Sequence, residues 1–471
     1  MNKKTKIVCT IGPATESKEK LSELLKAGMN VMRLNFSHGD FAEHQNRVNN
    51  LKIAVKETGI PAATLQDLSG PKIRIGAFKT DSVMLKEGAT FTLTTDAIVG
   101  DEKRVHVNYP LLPKEVKKGD TIFLHDGKKK LIVTNIKGND VVTKILVGGE
   151  IKARRGVNLP DSDLSVSALT AKDKKDIEFG IKNDVDFFAL SFVRKPEDIK
   201  ELRVILNKRK SKAKIIAKIE TPQALAAIDA IIAEADGVMV ARGDLAIEIP
   251  AENVPLAQKM IIQKCNAQSK PVITATQMLE SMIKSPVPTR AEVSDVANAI
   301  IDGTDAIMLS EETTLGEYPV KAVEVMSKIA LKVENDVSHD ALSKSLQSKD
   351  AEGVAESVTL SAVRTAERVG AKFVVSLTER GTSALLASSH KPRQPILVFT
   401  GNKKTFNQVL LSYGCQPVHL TWSDNFKQAL ASIRDYCLTN KIAKKGDRVV
   451  ISSGMPFGEK IETSMMLVET L

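Results

Sequence analysis

Two segments combine residue types suited to phosphate chemistry. Lys214-Ile-Ile-Ala-Lys-Ile-Glu220 is followed, after about one helix's length, by Val238-Met-Val-Ala-Arg-Gly-Asp244. Each reads as a buried strand, rich in apolar bulk, that ends on charge. An unpaired buried charge costs several kcal/mol, so Lys218, Glu220, Arg242 and Asp244 belong at an open strand mouth. Two carboxylates and an ammonium at one mouth suit a divalent metal with a cation beside it. Taken singly, each carboxylate reads equally well as an ion pair with Lys218 or Arg242. Placed together, Glu220 and Asp244 favour Mg²⁺ or Mn²⁺.

Further polar groups stand at the ends of apolar runs. Arg33 follows Val31 and Met32, and its planar fork suits a phosphate. His38 reads either as a phosphate-orienting group or as a loop cap. Thr276 could relay a proton to an enolate, although an isolated Thr on a strand is more often satisfied by backbone. Thr378-Glu-Arg-Gly-Thr-Ser383 follows one strand and opens a helix. Its hydroxyls and backbone N–H groups suit a phosphate, or a plain capping turn.

These groups need a frame. Eight apolar runs (6–12, 30–36, 62–68, 186–192, 214–220, 237–244, 271–277 and 306–312) alternate with amphipathic stretches. Eight β/α units predict a closed parallel barrel whose site lies at the C-terminal strand ends. Arg33, Asn35, Ser37, Asp67, Ser191, Lys218, Glu220, Asp244, Thr276 and Ser310 all fall there. The barrel is expected over 1–70 and 161–340. Residues 71–160 change to short alternating segments between Gly and Asp turns, predicting an inserted small β-barrel domain able to close as a lid. Residues 341–471 resume α/β alternation and predict a C-terminal domain, with 338–350 as linker.

The chain has 471 residues, 42% hydrophobic and 26% charged, enough for two to four domains. Met1-Asn-Lys-Lys-Thr-Lys-Ile-Val runs straight into a strand, so no signal peptide is expected. No apolar run suits a membrane span. Four distant cysteines predict reduced thiols in a cytoplasmic protein. The net charge of +10 comes from scattered lysines without interleaved aromatics. That distribution favours anionic substrates over nucleic acid.

Seven stretches in order resemble the pyruvate kinase family over the whole chain. They are Thr5-Lys-Ile-Val-Cys-Thr-Ile-Gly-Pro13, Met32-Arg-Leu-Asn-Phe-Ser-His-Gly39, Gly70-Pro-Lys-Ile-Arg74, Gly156-Val-Asn-Leu-Pro160, Lys218-Ile-Glu220, Met239-Val-Ala-Arg-Gly-Asp-Leu245 and Thr274-Ala-Thr-Gln-Met-Leu-Glu-Ser-Met282. The resemblance implies transfer of the phosphoryl group of phosphoenolpyruvate to ADP, giving pyruvate and ATP, usually in a homotetramer. It implies metal binding by Glu220 and Asp244, and charge stabilisation by Lys218 on the phosphoryl group in flight. Thr276 would serve enolate protonation, and Arg33 would bind the transferring phosphate with Arg74 beside it. Gly243, Asp244 and Ser191 would contact substrate. Asn35, His38 and Arg155 would lie on the nucleotide side, where many members carry Lys in place of Arg155. A phosphorylated effector is implied at Thr378, Arg380, Gly381, Thr382 and Ser383, though that loop and 454–463 depart from the family's usual forms.

One departure is chemical. Many members read Asp-Thr-Lys-Gly-Pro-Glu and bind K⁺ there, whereas this chain reads Asp67-Leu-Ser-Gly-Pro-Lys72. Two unit charges at ~4 Å repel by about 4 kcal/mol at an effective dielectric of ~20, or roughly a thousandfold in K⁺ affinity. Lys72 is therefore expected to replace K⁺ near Asn35, Ser37, Asp67 and Leu68, leaving K⁺ not required; the alternative reading is that Lys72 points into solvent and K⁺ binds as usual. Two other classes share parts of this pattern. A lyase acting through a metal enolate would not need Arg33 or a lid, and a non-catalytic scaffold would show eroded site residues.

Overall fold

The computed structural model describes residues 3–336, 353–421, 425–455 and 461–471. The expected linker at 338–350, Trp422 and part of the loop at 454–463 lie outside the described residues.

Eight parallel strands, Lys6–Thr10, Val31–Asn35, Ala63–Asp67, Phe187–Leu190, Lys214–Ile219, Gly237–Ala241, Val272–Ala275 and Ala306–Leu309, close into a barrel. Lys6 pairs with Ala306 to join the first strand to the last. Each strand is shorter than the apolar run that predicts it, because the ends of the runs turn off the ladder. Phe192, Thr276 and Gln277 do so with φ of 55°, 71° and 55°, a left-handed region that non-glycine residues seldom occupy.

Side chains alternate along a strand, and that alternation positions the site. Val31, Ala63, Leu65, Phe187, Ala189, Ile216, Met239, Ile273, Ala275, Ala306 and Met308 form one buried cluster that fills the barrel. Two residues further along the same rows stand Arg33, Asp67, Ser191 and Lys218. Ile215, Ala217 and Ile219, on the other face of strand five, pack under the surrounding helices. The row that fills the core thus becomes the row that lines the mouth.

The helices follow their local signals. Ser17 caps Lys18–Ala27 by accepting from the Lys20 N–H, and Gly28 ends it at φ 122°. Leu21, Leu24 and Leu25 form its buried face. The single helix expected over 222–235 is two, Pro222–Ala226 and Ile228–Glu234, because Ala227 leaves helical geometry (φ −98°, ψ 15°).

Between barrel strands three and four lies a six-stranded sheet built from Thr90–Thr94, Arg104–His106, Thr121–Leu124, Lys129–Lys137, Asp140–Val147 and Val157–Asn158. Ser82–Leu85 and Gly149–Lys152 form a separate antiparallel pair. These strands share their own apolar cluster, including Phe91, Leu93, Ile122, Leu131, Val141 and Ile145. The C-terminal sheet orders Cys415–His419, Ile396–Thr400, Phe373–Leu377, Arg448–Ser453 and Met465–Thr470, with only the last strand antiparallel. Leu410 and Leu411 from this region join the cluster inside the barrel.

Candidate active site

The mouth is organised around Asp67, which is 1% exposed. Arg33 Nε donates to its Oδ2 at 2.7 Å, and Lys218 Nζ lies 3.3 Å from its Oδ1. Arg33 Nη1 also donates to Thr10 Oγ1 at 2.8 Å. Lys218 pairs with Glu220 Oε1 at 2.8 Å and donates to Ser191 Oγ at 2.7 Å. Ser191 in turn donates to the Leu68 carbonyl. Two cations and two carboxylates are therefore buried together, with three side chains fixing the ammonium.

The electrostatics follow from that packing. Burial disfavours the Lys218 ammonium, but Asp67 and Glu220 outweigh it and hold its pKa above the usual lysine range. Burial alone would raise the Asp67 pKa, yet Lys218 and Arg33 prevail and hold it low. The Glu220 carboxyl is pushed up by burial and by nearby Asp244, against the pull of Lys218.

That repulsion bears on metal binding. Asp244 lines a 60 Å³ cavity with Lys72, Asp126, Asn158 and Glu248. Its carboxylate makes no ion pair or hydrogen bond among the described residues, and Arg242 pairs with Asp295 instead. The described residues contain no group of three or more His, Cys, Asp or Glu side chains suited to a metal. One buried and one unpartnered carboxylate fit Mg²⁺, which takes one or two carboxylates and keeps its other positions for water and substrate.

Thr276 sits where strand seven turns away. Its hydroxyl accepts from the Gly243 N–H at 2.8 Å and donates to the Ala275 carbonyl at 2.6 Å. Arg242 Nη2 donates to the Thr276 carbonyl at 2.7 Å. Thr276, Gly243 and Arg242 are thus one locally bonded unit next to Asp244, with the strained threonine braced by arginine.

The expected nucleotide-side residues are more open. Asn35 accepts from the Ser37 N–H, Arg74 Nη1 donates to the Arg154 carbonyl, and His38 is exposed. Partial desolvation and then the charges of Lys72, Arg74 and Arg33 lower the His38 pKa. Arg155 keeps a buried Nε without a hydrogen-bond partner.

Lys72 makes no ion pair with Asp67 or any other carboxylate among the described residues. It is exposed and lines a 390 Å³ cavity with Ser37, Ser69, Arg74 and Lys172. The reason is electrostatic: Asp67 is already matched by Arg33 and Lys218, so a third cation gains nothing there. Leu68 packs in the apolar core beneath the helices.

In the C-terminal region, Thr378, Glu379, Arg380, Thr382 and Ser383 line a 650 Å³ cavity with Thr463. Gly381 adopts φ 84° and donates its N–H to Thr378 Oγ1 at 3.0 Å. Sequence reasoning missed Asn158 and Glu248. The four-residue spacing of Asp244 and Glu248 was the available signal, since such residues share a helix face.

Comparison with known proteins agrees with this geometry. Residues 2–323 match the family model described as pyruvate kinase, barrel domain, and residues 356–469 match pyruvate kinase, alpha/beta domain. A pyruvate kinase of Geobacillus stearothermophilus is 42% identical over all of this chain and 81% of its own length. One of Thermotoga maritima is 43% identical over 96% of each. The crystal structure of a pyruvate kinase from Cryptosporidium parvum superposes with a TM-score of 0.95, at 36% identity, covering 100% of this chain and 96% of the other. A barrel with these partners at its mouth, matched along its whole length, places the chain in the pyruvate kinase family, and it is a phosphotransferase.

Proposed function

We propose that the chain transfers the phosphoryl group of phosphoenolpyruvate to ADP in a Mg²⁺- or Mn²⁺-dependent reaction. Residues 1–70 and 161–340 would be the catalytic unit, 71–160 its lid, and 341–471 the unit for effector binding and tetramer assembly. The observation that carries this reading is Lys218 held by Asp67, Glu220 and Ser191, opposite Arg33.

In this reaction a β-phosphate oxygen of ADP attacks phosphorus and the bond to the enol oxygen breaks. The enolate then takes a proton at carbon to give pyruvate. Lys218 and Arg33 face charge that spreads over the phosphoryl oxygens, and their fixed positions mean little reorganisation as it moves. Glu220 and Asp244 would hold the divalent ion, which would neutralise substrate oxygens. Thr276, bonded to Gly243, stands beside the expected enolate and belongs to its protonation path. Arg74 and Arg155 give the nucleotide a positive approach, with Asn35 and His38 as polar groups beside them.

A coupled assay for pyruvate from phosphoenolpyruvate and ADP with Mg²⁺ tests this. Lys218→Met should lower kcat by about a hundredfold or more, as expected for a lost charge-stabilising group. Absence of pyruvate with the unaltered chain would refute the assignment.

We further infer that the enzyme works without K⁺. Lys72 has no anionic partner among the described residues and already depresses the His38 pKa. It therefore supplies unneutralised positive charge at the mouth. Replacing K⁺ by a large inert cation should leave most activity; loss of most of it would refute this role for Lys72. The 650 Å³ C-terminal cavity suits a phosphorylated effector, which a screen of sugar phosphates and nucleoside monophosphates would identify.

A further inference from the structure

The short helix Arg242–Glu248 carries Asp244 at one end and Glu248 at the other. Glu248 Oε1 accepts a hydrogen bond from Asn158 Nδ2 at 2.8 Å. Asn158 belongs to the inserted sheet, where Val157–Asn158 pairs with Thr121–Leu124. A second contact joins the same two parts. Gly127, at a turn of the inserted sheet, faces Ile247, and a Cβ built there would meet its Cγ2 at an ordinary van der Waals distance of 3.5 Å. His125, Asp126 and Gly127 all have positive φ, of 53°, 54° and 80°. The turn that faces this helix is thus held in a conformation that non-glycine residues seldom adopt.

We propose that Glu248 is a positioning residue: by accepting from Asn158 it seats the lid on the helix that carries Asp244, so that lid placement and carboxylate placement are linked. This rests on the phosphoryl-transfer reading above. The linkage is mechanical, because seven residues of one helix connect the seat to the mouth. A lid pulled from its seat drags the helix, and a displaced Asp244 disturbs the seat.

The surroundings make the seat sensitive to charge. Burial, then Asp244, Glu220 and Asp161, push the Glu248 carboxyl up to about 7, while Asn158 opposes the shift. Lys72, Asp126 and Arg194 line the same cavity.

The test uses the full chain with Mg²⁺ and three variants: Asn158→Ala, Glu248→Ala and Glu248→Gln. In the substrate-free enzyme, amide exchange across residues 121–158 should quicken about tenfold in either alanine variant, as for a lost charge-assisted bond. The double alanine variant should exceed neither single by much, because both remove one bond. Glu248→Gln keeps a carbonyl acceptor and should recover most of the protection. In turnover, kcat/KM for phosphoenolpyruvate should fall in Asn158→Ala although Asn158 makes no bond to Asp67, Arg33 or Lys218. Should a variant be poorly folded, Asn158→Asp, which opposes two carboxylates, gives an independent opening of the same seat. Unchanged exchange in Asn158→Ala, or fully additive effects in the double variant, would overturn the proposal. An active-site failure reads differently: no pyruvate from the unaltered chain refutes the reaction, while the exchange result still judges the seat.

Discussion

At the scale of single residues, the mouth depends on one carboxylate serving two cations. Asp67 has Arg33 on one oxygen and Lys218 on the other, and all three are almost fully buried. A buried pair need not stabilise relative to apolar residues, but removing one partner leaves charge uncompensated. Asp67→Asn should therefore destabilise by about 3–5 kcal/mol, read from denaturant midpoints at neutral pH. The sign with pH follows from the lowered Asp67 pKa. Its contribution is complete above the unfolded value of about 4 and is lost as pH falls through the lower folded value. The wild type and Asp67→Asn should thus converge in stability only in acid. Equal stability at pH 7 would show that the two cations find other partners. Arg33, Lys218, Glu220 and Asp244 were legible in the sequence because a charged residue ending an apolar run has few places to go. The central role of Asp67 was not, since its partners come from strands two and five.

At the scale of elements, helix Ala171–Lys182 shows how closely the barrel wall is packed. Thr170 and Asp173 close its N-terminus in a reciprocal capping box. Gly180 faces strand four, and a Cβ there would lie 2.6 Å from the Phe188 ring and also strike the Gln66 amide. In an open helix, Gly→Ala gains about 1 kcal/mol. Here overpacking costs about 1–3 kcal/mol and outweighs that gain. Gly180→Ala should lower the thermal midpoint, and a raised midpoint would mean that the helix can shift outward. Element type was readable from periodicity and caps, and the strands were found in the right order. Their ends were not, because tertiary hydrogen bonds decide where a ladder stops. Phe192 leaves strand four with its N–H bonded to Glu220 Oε2 at 2.7 Å, a partner 28 residues away.

At the scale of the whole molecule, the barrel is closed from below by the C-terminal region. Leu411 is fully buried in the interior cluster, Tyr413 N–H donates to Asp305 Oδ1, and Lys6 Nζ donates to the Cys415 carbonyl. Lys391 adds a buried pair to Asp305 at 2.9 Å. Leu411→Ala should cost about 2–5 kcal/mol, the usual range for a core leucine that leaves a cavity. The loss should appear in barrel and C-terminal probes together if the two unfold as one. No described helix is long and apolar enough to cross a membrane. The sequence by itself determined the eight-unit frame, the inserted and C-terminal sheets, and the charged groups that must reach a mouth, because burial and side-chain alternation are local constraints. Only the tertiary structure decided which charges meet. It committed Asp67 to Arg33 and Lys218, left Lys72 at the surface, and joined Asn158 to Glu248. Those pairings span 34 to 151 residues of chain, and a pattern along one segment carries no term for such distances.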